Sequence, residues 1–328
     1  MKKIILRIVA VLGVIIIGLV VFIFASWDKK FDAPFPDIKA SKDSAVIARG
    51  RYLAFGPAHC GTCHVPMEKY KDVENGEQIP LSGGWELSIP PGTFRAPNLT
   101  PDMETGIGKF SDGEIARALR HSVKHDGSIM FPFMPFQDIS DDDLTAIVSF
   151  LKSQPAVKNE LKKSELTFLG KAIMAFGGIT PTPPMGTPPK SVVIDTSKEY
   201  GSYLANSVAN CVGCHTERDL KTGKFTGRPF AGGLRLPPDP YSEGYSFMTP
   251  NITPDKETSI MAAWDEQGFV DRFKTGGRIR KGSPMPWGAF SRMNEMDIRA
   301  IYRYIHTVDA VNNKISKVVF APGEKFPD

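Results

Sequence analysis

The sequence contains two short motifs of the same form, CGTCH at residues 60–64 and CVGCH at residues 211–215. The pattern C-x-x-C-H is found in redox-active thiol pairs, in zinc sites and at the attachment points of haem. The motifs use all four cysteines of the 328-residue chain. No thiol therefore remains for a structural disulfide, for a free nucleophile or for a thiolate ligand elsewhere.

The second motif follows the first by 151 residues, and the sequences around the motifs repeat as well. GRYLAFGPAHCGTCH, which starts at Gly50, aligns with GSYLANSVANCVGCH, which starts at Gly201. Downstream, PNLTPDMETGI from Pro97 aligns with PNITPDKETSI from Pro250. The chain is therefore predicted to contain two similar domains, which agrees with the number that its length suggests.

Each half of the chain contains signals for helices. N-terminal capping patterns predict four helix starts, at Ser111 with Glu114, Ser140 with Asp143, Asp265, and Asn294 with Asp297. Apolar residues at helical spacing predict a last helix in each half, through Leu144, Ile147, Val148 and Leu151 and through Ile298, Ile301, Tyr302 and Ile305. Neither half shows the strict alternation of a half-buried sheet. We therefore predict an all-α fold with long loops.

A proline-rich stretch, GGITPTPPMGTPPK at residues 177–190, separates the halves and favours an extended connection. The apolar segment LTFLGKAIMAF at residues 166–176 is predicted to pack between the domains, with contact with a membrane surface as the alternative. The predicted organisation is an N-terminal membrane segment at 1–30, a first domain at 40–155, a linker at 156–195 and a second domain at 196–328.

The N-terminus has the pattern of a membrane anchor. Lys2, Lys3 and Arg7 precede an uncharged run, residues 8–27, that is long enough to cross a bilayer. The alternative is a cleaved signal peptide, but the residues before Ala25 do not form a cleavage site of the A-x-A type. Because cations flank the cytoplasmic end of such segments, the rest of the chain is predicted on the periplasmic side of the inner membrane.

The charge of the exported part argues against a nucleic-acid partner. The whole chain has a formal net charge of +4, and Lys2, Lys3 and Arg7 lie before the membrane segment, which leaves +1 beyond it. A protein that binds nucleic acid carries a basic patch or stripe. The membrane remains as an expected partner.

Haem explains the two motifs better than the alternatives do. Two cysteines three residues apart on one helical turn can reach both vinyl groups of a porphyrin, and the next histidine lies under the iron. Zinc would need a fourth ligand at each site, with His59, His121, His125 and His306 as candidates, and a thioredoxin-like pair would need a βαβ context. We predict two covalently bound haem c groups, held by Cys60, Cys63 and His64 and by Cys211, Cys214 and His215.

A second axial ligand is predicted in each half. Met134 in FMPF and Met285 in PMPW are separated by the same 151 residues that separate the cysteine motifs. The alternatives are Met130 and a bis-histidine iron with His121 or His125, but the second half has no histidine at the matching places. The predicted iron ligands are His64, Met134, His215 and Met285. Tyr52 and Tyr203, at matching places before the cysteines, are predicted to pack against the haem edges.

These residues resemble the class I c-type cytochromes, and more specifically the membrane-bound cytochrome c subunits of periplasmic alcohol, aldehyde and gluconate dehydrogenases. The resemblance rests on the two C-x-x-C-H motifs, on PNITPDKET and on FAGGL at Phe230, with LSGGW as its counterpart in the first half. It extends from Ala45 to Val308. Members of that family commonly hold three haems, whereas this chain has two motifs.

The resemblance implies a protein that takes electrons from a catalytic dehydrogenase and passes them to quinone or to the respiratory chain. A stand-alone dihaem carrier between a quinol-oxidising complex and an oxidase fits the same residues. The enzymatic alternative is a dihaem cytochrome c peroxidase, which needs one iron with an open position. The methionine in each half favours two closed irons and therefore a carrier without a catalytic residue of its own.

Overall fold

The structure is a computed structural model that describes residues 2–219, 223–275, 277 and 280–327. It begins with one long apolar helix, α1 (Lys2–Ser26), most of whose side chains are exposed. By its length and composition this helix is a candidate membrane span. The uncharged run predicted as an anchor thus forms a continuous helix.

The helices and strands of the first half lie between the end of α1 and the proline-rich stretch. Its elements are α2 (Ser44–Phe55), α3 (Tyr70–Glu74), β1 (Glu86–Ile89), β2 (Gly92–Arg95), α4 (Asp112–His121), α5 (Asp141–Ser153), β3 (Glu165–Leu166) and α6 (Phe168–Ala175), with 3₁₀ turns at Cys60–Thr62 and Met67–Lys69. Long loops join these elements.

The second half repeats the main elements of this order. Its elements are α7 (Lys198–Tyr203), α8 (Cys211–Cys214), β4 (Arg235–Leu236), β5 (Ser246–Met248), α9 (Glu266–Lys274), α10 (Trp287–Phe290), α11 (Glu295–Ile305) and β6 (Val319–Phe320), with a π-helical turn at Leu204–Val208 and a 3₁₀ turn at Ile260–Ala263. Among the residues that the structure describes, this half has no counterparts of α3 and α6, and α10 is an additional short helix. The repeat that the sequence predicts is therefore a repeat of structure.

Each half is built on a close crossing of two helices, α2 with α5 and α7 with α11. A Cβ atom added to Gly50 in α2 would lie 1.9 Å from the carbonyl oxygen of Ala146 in α5. A Cβ atom added to Gly201 in α7 would lie at the same distance from the carbonyl oxygen of Ala300 in α11. Because a side chain would separate the two backbones, glycine is required at both crossings. The buried cores that form around them join into one cluster.

All four predicted helix starts are confirmed. Ser111 and Glu114 form a reciprocal capping box, and the Ser140 and Asp265 side chains accept hydrogen bonds from the backbone of their own first turns. Asn294 occupies the predicted N-cap position of α11, but its side chain makes no capping hydrogen bond. Its backbone N–H instead donates to the hydroxyl of Tyr52, 2.9 Å away.

Two small sheets accompany the helices and were not part of the all-α prediction. Each sheet is antiparallel and three-stranded, with the orders β1-β2-β3 and β4-β5-β6. The strands have two to four residues, which is too short for an alternating pattern to be recognised. The third strand follows α5 in the first half and α11 in the second, so residues assigned to the linker complete the first sheet.

The segment predicted to pack between the domains forms α6, which lies against α1 and against the β1–β2 hairpin of the first half. Phe22 and Phe176 have ring centroids 5.4 Å apart, and the Thr167 N–H donates to the carbonyl of Pro91. The proline-rich stretch after α6 contains no helix or strand. It runs past the start of α5, where the carbonyl of Pro189 accepts from the N–H of Asp141.

Candidate haem-binding sites

Both C-x-x-C-H motifs form a single helical turn. The His64 N–H donates to the Cys60 carbonyl over 2.9 Å, and the His215 N–H donates to the Cys211 carbonyl over 2.8 Å. The residue before each turn, His59 or Asn210, has a left-handed backbone with φ of 39° and 52°. The two turns are therefore entered by the same unusual bend, which aligns the cysteines and the histidine of each motif in the same way.

The imidazole rings of the two motif histidines are oriented by backbone carbonyls. His64 Nδ1 lies 2.9 Å from the Pro97 oxygen, and His215 Nδ1 lies 3.0 Å from the Pro250 oxygen. A carbonyl can only accept, so Nδ1 carries the proton in both rings and Nε2 keeps its lone pair. Burial lowers the pKa of both histidines, although the carbonyl contact acts in the opposite direction. Each ring is thus held neutral with Nε2 available to a metal.

Glycines that follow each motif allow the supporting loop to approach. Gly83 and Gly232 have φ of +77° and +75°, and a Cβ atom would lie within 2.6 Å of the backbone that carries Pro97 or Pro250. Their N–H groups donate to the carbonyls of His64 and His215 at 2.9 and 2.8 Å. The first glycines of the GG pairs in LSGGW and FAGGL therefore link the backbone of the histidine to the loop whose carbonyl orients its ring.

The repeated PN(L/I)TPD sequences form a hydrogen-bonded loop next to the histidine. The Asn98 side-chain nitrogen donates to the Val157 carbonyl over 2.8 Å and to the Thr105 hydroxyl over 3.1 Å. The Asn98 side-chain oxygen accepts from the N–H and the hydroxyl of Thr100. Asn251 makes the equivalent four bonds, with Val311, Thr258 and Thr253. Because Asn98 and Asn251 directly follow Pro97 and Pro250, this network fixes the carbonyls that orient the histidines.

The sequence alone did not assign these supporting roles. Pro97, Pro250 and the two asparagines were visible only as matching letters of the repeat. Their matching positions were the signal that could have identified them, since a polar residue retained in both copies of a loop is retained for a shared contact. The contact itself joins residues 33 positions apart in the first half, and a local pattern does not reveal it.

The cysteine environments suit thioethers better than thiolates. None of the four cysteines forms a disulfide bond. Burial raises the pKa of Cys60, Cys63 and Cys211 to about 12, so the thiolate that a redox nucleophile needs is disfavoured. A neutral thioether to a haem vinyl carbon carries no such penalty. Among the described residues, no group of three or more histidine, cysteine, aspartate or glutamate side chains could hold a metal ion.

Met134 and Met285 occupy equivalent loops between the last two long helices of each half. Both side chains are half-buried and pack against the same core cluster as Cys60 and Cys211. The Met134 carbonyl accepts from Gln137 Nε2 at 3.1 Å, and the Met285 carbonyl accepts from the Trp287 N–H at 2.8 Å. Each methionine is therefore placed on a loop whose backbone is held by a residue shortly after it.

Three of the histidines considered as alternative ligands have other neighbours. His125 stacks on Phe110 with ring centroids 4.0 Å apart, and the His306 ring lies 4.0 Å from that of Tyr302. His59 Nδ1 contacts the Pro57 carbonyl at 3.1 Å. These contacts give the three rings structural roles at the surface or in the loop before the first motif. His121 lies in the last turn of α4, partly exposed.

The second half covers the first motif. The Phe290 ring lies 5.5 Å from the ring of His59, the residue before Cys60. Arg292 donates to the carbonyls of Phe55 and Val73, at 2.8 Å in both cases. Phe290 and Arg292 follow Met285 by a few residues, so the loop that carries the second predicted methionine packs next to the first attachment turn.

The tyrosines before the motifs also cross between the halves. The Tyr203 hydroxyl donates to Asp143 Oδ2 over 2.7 Å, and the Tyr52 hydroxyl donates to Asp297. Each tyrosine therefore reaches the start of the last helix of the other half. These contacts hold the two sites in a fixed relation to each other, a role beyond the predicted haem-edge packing.

The chain is similar to several dehydrogenase cytochrome subunits. It is 28% identical to the fructose dehydrogenase cytochrome subunit of Gluconobacter japonicus, with 84% of the chain matched. It is also 28% identical to the alcohol dehydrogenase (quinone) cytochrome c subunit of Gluconobacter oxydans, with 82% of the chain matched. The chain covers 55% and 56% of these two relatives, so it spans about half of their length.

A relative of more similar length is the diheme cytochrome c-type protein of Cereibacter sphaeroides, which is 28% identical over 80% of the chain and of which the chain covers 86%. The sequence profile of the cytochrome c family matches twice, at residues 47–155 and 199–309. Each match contains one C-x-x-C-H turn, its carbonyl-bound histidine and its methionine loop. Since the two matches together cover more than half of the chain, it belongs to the cytochrome c family, whose domains carry covalently bound haem c.

Proposed function

We propose that the chain is a two-haem electron-transfer protein that receives electrons from a periplasmic dehydrogenase or a quinol-oxidising complex and passes them to the respiratory chain. The observation that carries the proposal is the duplicated site, in which each motif histidine is fixed through Nδ1 by a backbone carbonyl. Electron transfer itself follows from the family. Relatives named as dehydrogenase cytochrome subunits favour a dehydrogenase as the donor.

The proposed attachment uses Cys60 and Cys63 in the first half and Cys211 and Cys214 in the second. His64 would supply the proximal nitrogen of one site, and His215 is its counterpart. Bound haem supplies an iron that gains and loses a single electron. The protein contributes a neutral imidazole, whose Nδ1 proton is held by a carbonyl and whose Nε2 is left for the metal.

Met134 and Met285 are proposed as the opposite axial ligands. The support is their identical spacing from the motifs, their half-buried positions on equivalent loops and their packing against the core cluster on which Cys60 and Cys211 also pack. A thioether ligand favours the reduced iron, so both sites should have high potentials. Haem held by a histidine and a methionine in each half would offer no ready position to a substrate, which favours a carrier over a peroxidase.

Contacts between the halves support transfer from one site to the other. The Phe290 ring packs on His59, which precedes Cys60, and Tyr70 stacks on Tyr241 with ring centroids 3.5 Å apart. The loop after Met285 and the turn that contains Cys60 are therefore neighbours. We propose that electrons cross the chain at this contact, near the two aromatic pairs that join the halves.

The location proposed for both sites is the periplasmic face of the inner membrane, with α1 as the anchor. α1 is apolar enough to span a bilayer, and basic residues precede its uncharged run. A membrane anchor would keep the carrier beside membrane-bound dehydrogenases and quinol-oxidising complexes.

Replacement of the two methionines tests the proposal. In Met134→Ala, the potential of one haem should decrease, and the potential of the other should be nearly unchanged. Axial ligands control haem potentials over a range of roughly 0.8 V. Met285→Ala should do the converse. The near-infrared methionine-to-iron band of the oxidised protein should lose half of its intensity in either variant.

Met130→Ala is the matched control, because Met130 lies in the same loop region four residues before Met134. It should leave both potentials and the near-infrared band unchanged. Loss of the band in the control would assign the ligand to Met130. A wild-type protein in which one haem binds peroxide readily would favour the dihaem peroxidase instead.

A further inference from the structure

Helix α6 carries an apolar surface that the rest of the chain leaves exposed. Phe168, Leu169 and Phe176 are 52%, 50% and 61% exposed, whereas Met174 and Ala175 on the same helix are buried. Two phenylalanines and a leucine exposed on one eight-residue helix and its C-cap offer a target for an apolar partner. We call Phe168, Leu169 and Phe176 the α6 apolar face.

α6 is firmly attached to the first half. The hydroxyl of Thr167 donates to the Pro90 carbonyl over 2.8 Å, and its N–H donates to the Pro91 carbonyl over 3.0 Å. A Cβ atom at Gly170 would lie 2.0 Å from the Pro91 oxygen, so the helix backbone rests directly on the hairpin. The position of the α6 apolar face is therefore coupled to the orientation of the first haem-binding domain.

α6 also contacts the periplasmic end of α1. Phe24 and Phe168 have ring centroids 6.3 Å apart. The ammonium group of Lys171 lies 5.0 Å from the centroid of the Phe24 ring and 5.1 Å from that of Trp27. Lys29 donates to the Ala175 carbonyl over 2.9 Å, which joins the end of α6 to the segment that follows α1.

These contacts define the depth of α6 relative to a bilayer. The uncharged run from Ile8 to Trp27 has 20 residues, and as a helix it spans about 30 Å, the thickness of the hydrocarbon core. Phe24 and Trp27 then lie at its outer boundary, the level at which aromatic residues concentrate in membrane proteins. Because α6 meets α1 at Phe22, Phe24 and Trp27, it lies at the same level.

We infer that the α6 apolar face is a second membrane contact, inserted at the boundary between the headgroups and the acyl chains of the outer leaflet. The bilayer is the occupant because the face is continuous with the surface of α1, which is itself exposed along its length. Lys171 and Lys29 lie where their charges can reach the phosphates. The contact orients the first domain against the membrane. This inference rests on the proposed anchoring by α1.

Photochemical crosslinking from phenylalanine positions tests the inference on the full-length, haem-loaded protein. Benzoylphenylalanine replaces Phe168, Phe22 or Phe225 in separate variants, which are reconstituted at low density in vesicles of phosphatidylethanolamine and phosphatidylglycerol. Phe22 lies in α1 and reports on the anchor. Phe225 is the matched control, since it is 54% exposed, like Phe168, but lies in the second half. After irradiation, intact-mass spectrometry detects a covalent phospholipid.

Phe168 and Phe22 are both expected to acquire one phospholipid, and Phe225 is expected to stay at the background of the wild-type protein. An adduct at Phe22 without one at Phe168 would leave the anchor intact and overturn the membrane contact of α6. A crosslinked dimer from Phe168 would show that a second copy of the chain covers the face, which overturns the inference as well. Absence of lipid at Phe22 would overturn the anchor, and the inference with it. Equal adducts at Phe225 would remove the distinction on which the inference depends.

Discussion

The hydroxyl of Tyr52, in the first half, donates a hydrogen bond to the carboxylate of Asp297, in the second half. The repeat provides the reciprocal bond from Tyr203 to Asp143, but the two carboxylates differ in their neighbours. Arg49 forms two hydrogen bonds with Asp143, at 2.8 and 2.9 Å. Asp297 is 1% exposed, and the residue that corresponds to Arg49 beside it is a tyrosine, Tyr200.

This difference predicts a pH-dependent stability that Asp297→Asn removes. Burial raises the pKa of Asp297, although Tyr52, Arg49 and Tyr200 act in the opposite direction and Asp143 adds to the rise. The folded protein therefore keeps the Asp297 carboxyl protonated at pH values above the unfolded pKa of about 3.9. The free energy of unfolding falls as the pH rises from that value through the folded pKa. Urea unfolding at a series of pH values should show this fall in the wild type and a weaker fall in Asp297→Asn.

Asp143→Asn is the matched comparison, and it should lower the free energy of unfolding at neutral pH. Burial alone would lower the pKa of Arg49, but its hydrogen bonds and charge interaction with Asp143 hold it above its ordinary value. Without the carboxylate, a mostly buried guanidinium loses its partner, and the expected loss of unfolding free energy at neutral pH is about 3 kcal/mol. Equal effects of the two substitutions at neutral pH would show that the asymmetry between the halves has no energetic consequence.

Gly50→Ala and Gly201→Ala should each destabilise the protein strongly. The added methyl group would lie 1.9 Å from a carbonyl oxygen of the facing helix, so the two helices would have to move apart. We expect a loss of roughly 1 to 3 kcal/mol for each substitution, measured by thermal unfolding. Gly186→Ala is the control, because no atom lies within 4 Å of the added Cβ. A loss no larger than that of the control would refute the tight crossing.

Asn98→Ala should weaken the first site without affecting the second, and Asn251→Ala should do the converse. Each asparagine makes four hydrogen bonds next to the carbonyl that orients its histidine. A loss of about 1 to 3 kcal/mol of stability is expected when these buried partners are left unpaired. Redox titration should show a shift of one potential in each variant. A shift of both potentials by one substitution would argue against independent sites.

Two covalent haems are expected per chain. Mass spectrometry of the purified protein should show the polypeptide plus two haems, and the pigment should remain with the protein through acid-acetone extraction, because thioether bonds resist it. Cys60→Ala with Cys63→Ala should remove one haem, and Cys211→Ala with Cys214→Ala should remove the other. A chain with a single haem, or with bound zinc, would contradict the interpretation of the two motifs.

Much of the architecture could be predicted from local patterns. The repeat is visible when two stretches of the sequence are aligned. Residues that are neighbours along the chain or along one helix face determine the capping box at Ser111, the apolar stripe of α5 and the long apolar helix α1. Helix caps and amphipathic spacing act within a few residues, so the sequence displays them directly. The sheets were missed because strands of two to four residues carry too little pattern.

By itself, the sequence determined the duplicated cytochrome c fold, the two C-x-x-C-H turns and the matched positions of Met134 and Met285. Only the tertiary structure decided that the Pro97 carbonyl orients His64, that Tyr52 binds Asp297 and that α6 lies beside the end of α1. The hydrogen bond between Tyr52 and Asp297 joins positions 245 residues apart. Such contacts arise when the cores of the two halves pack together, and no local periodicity encodes that geometry.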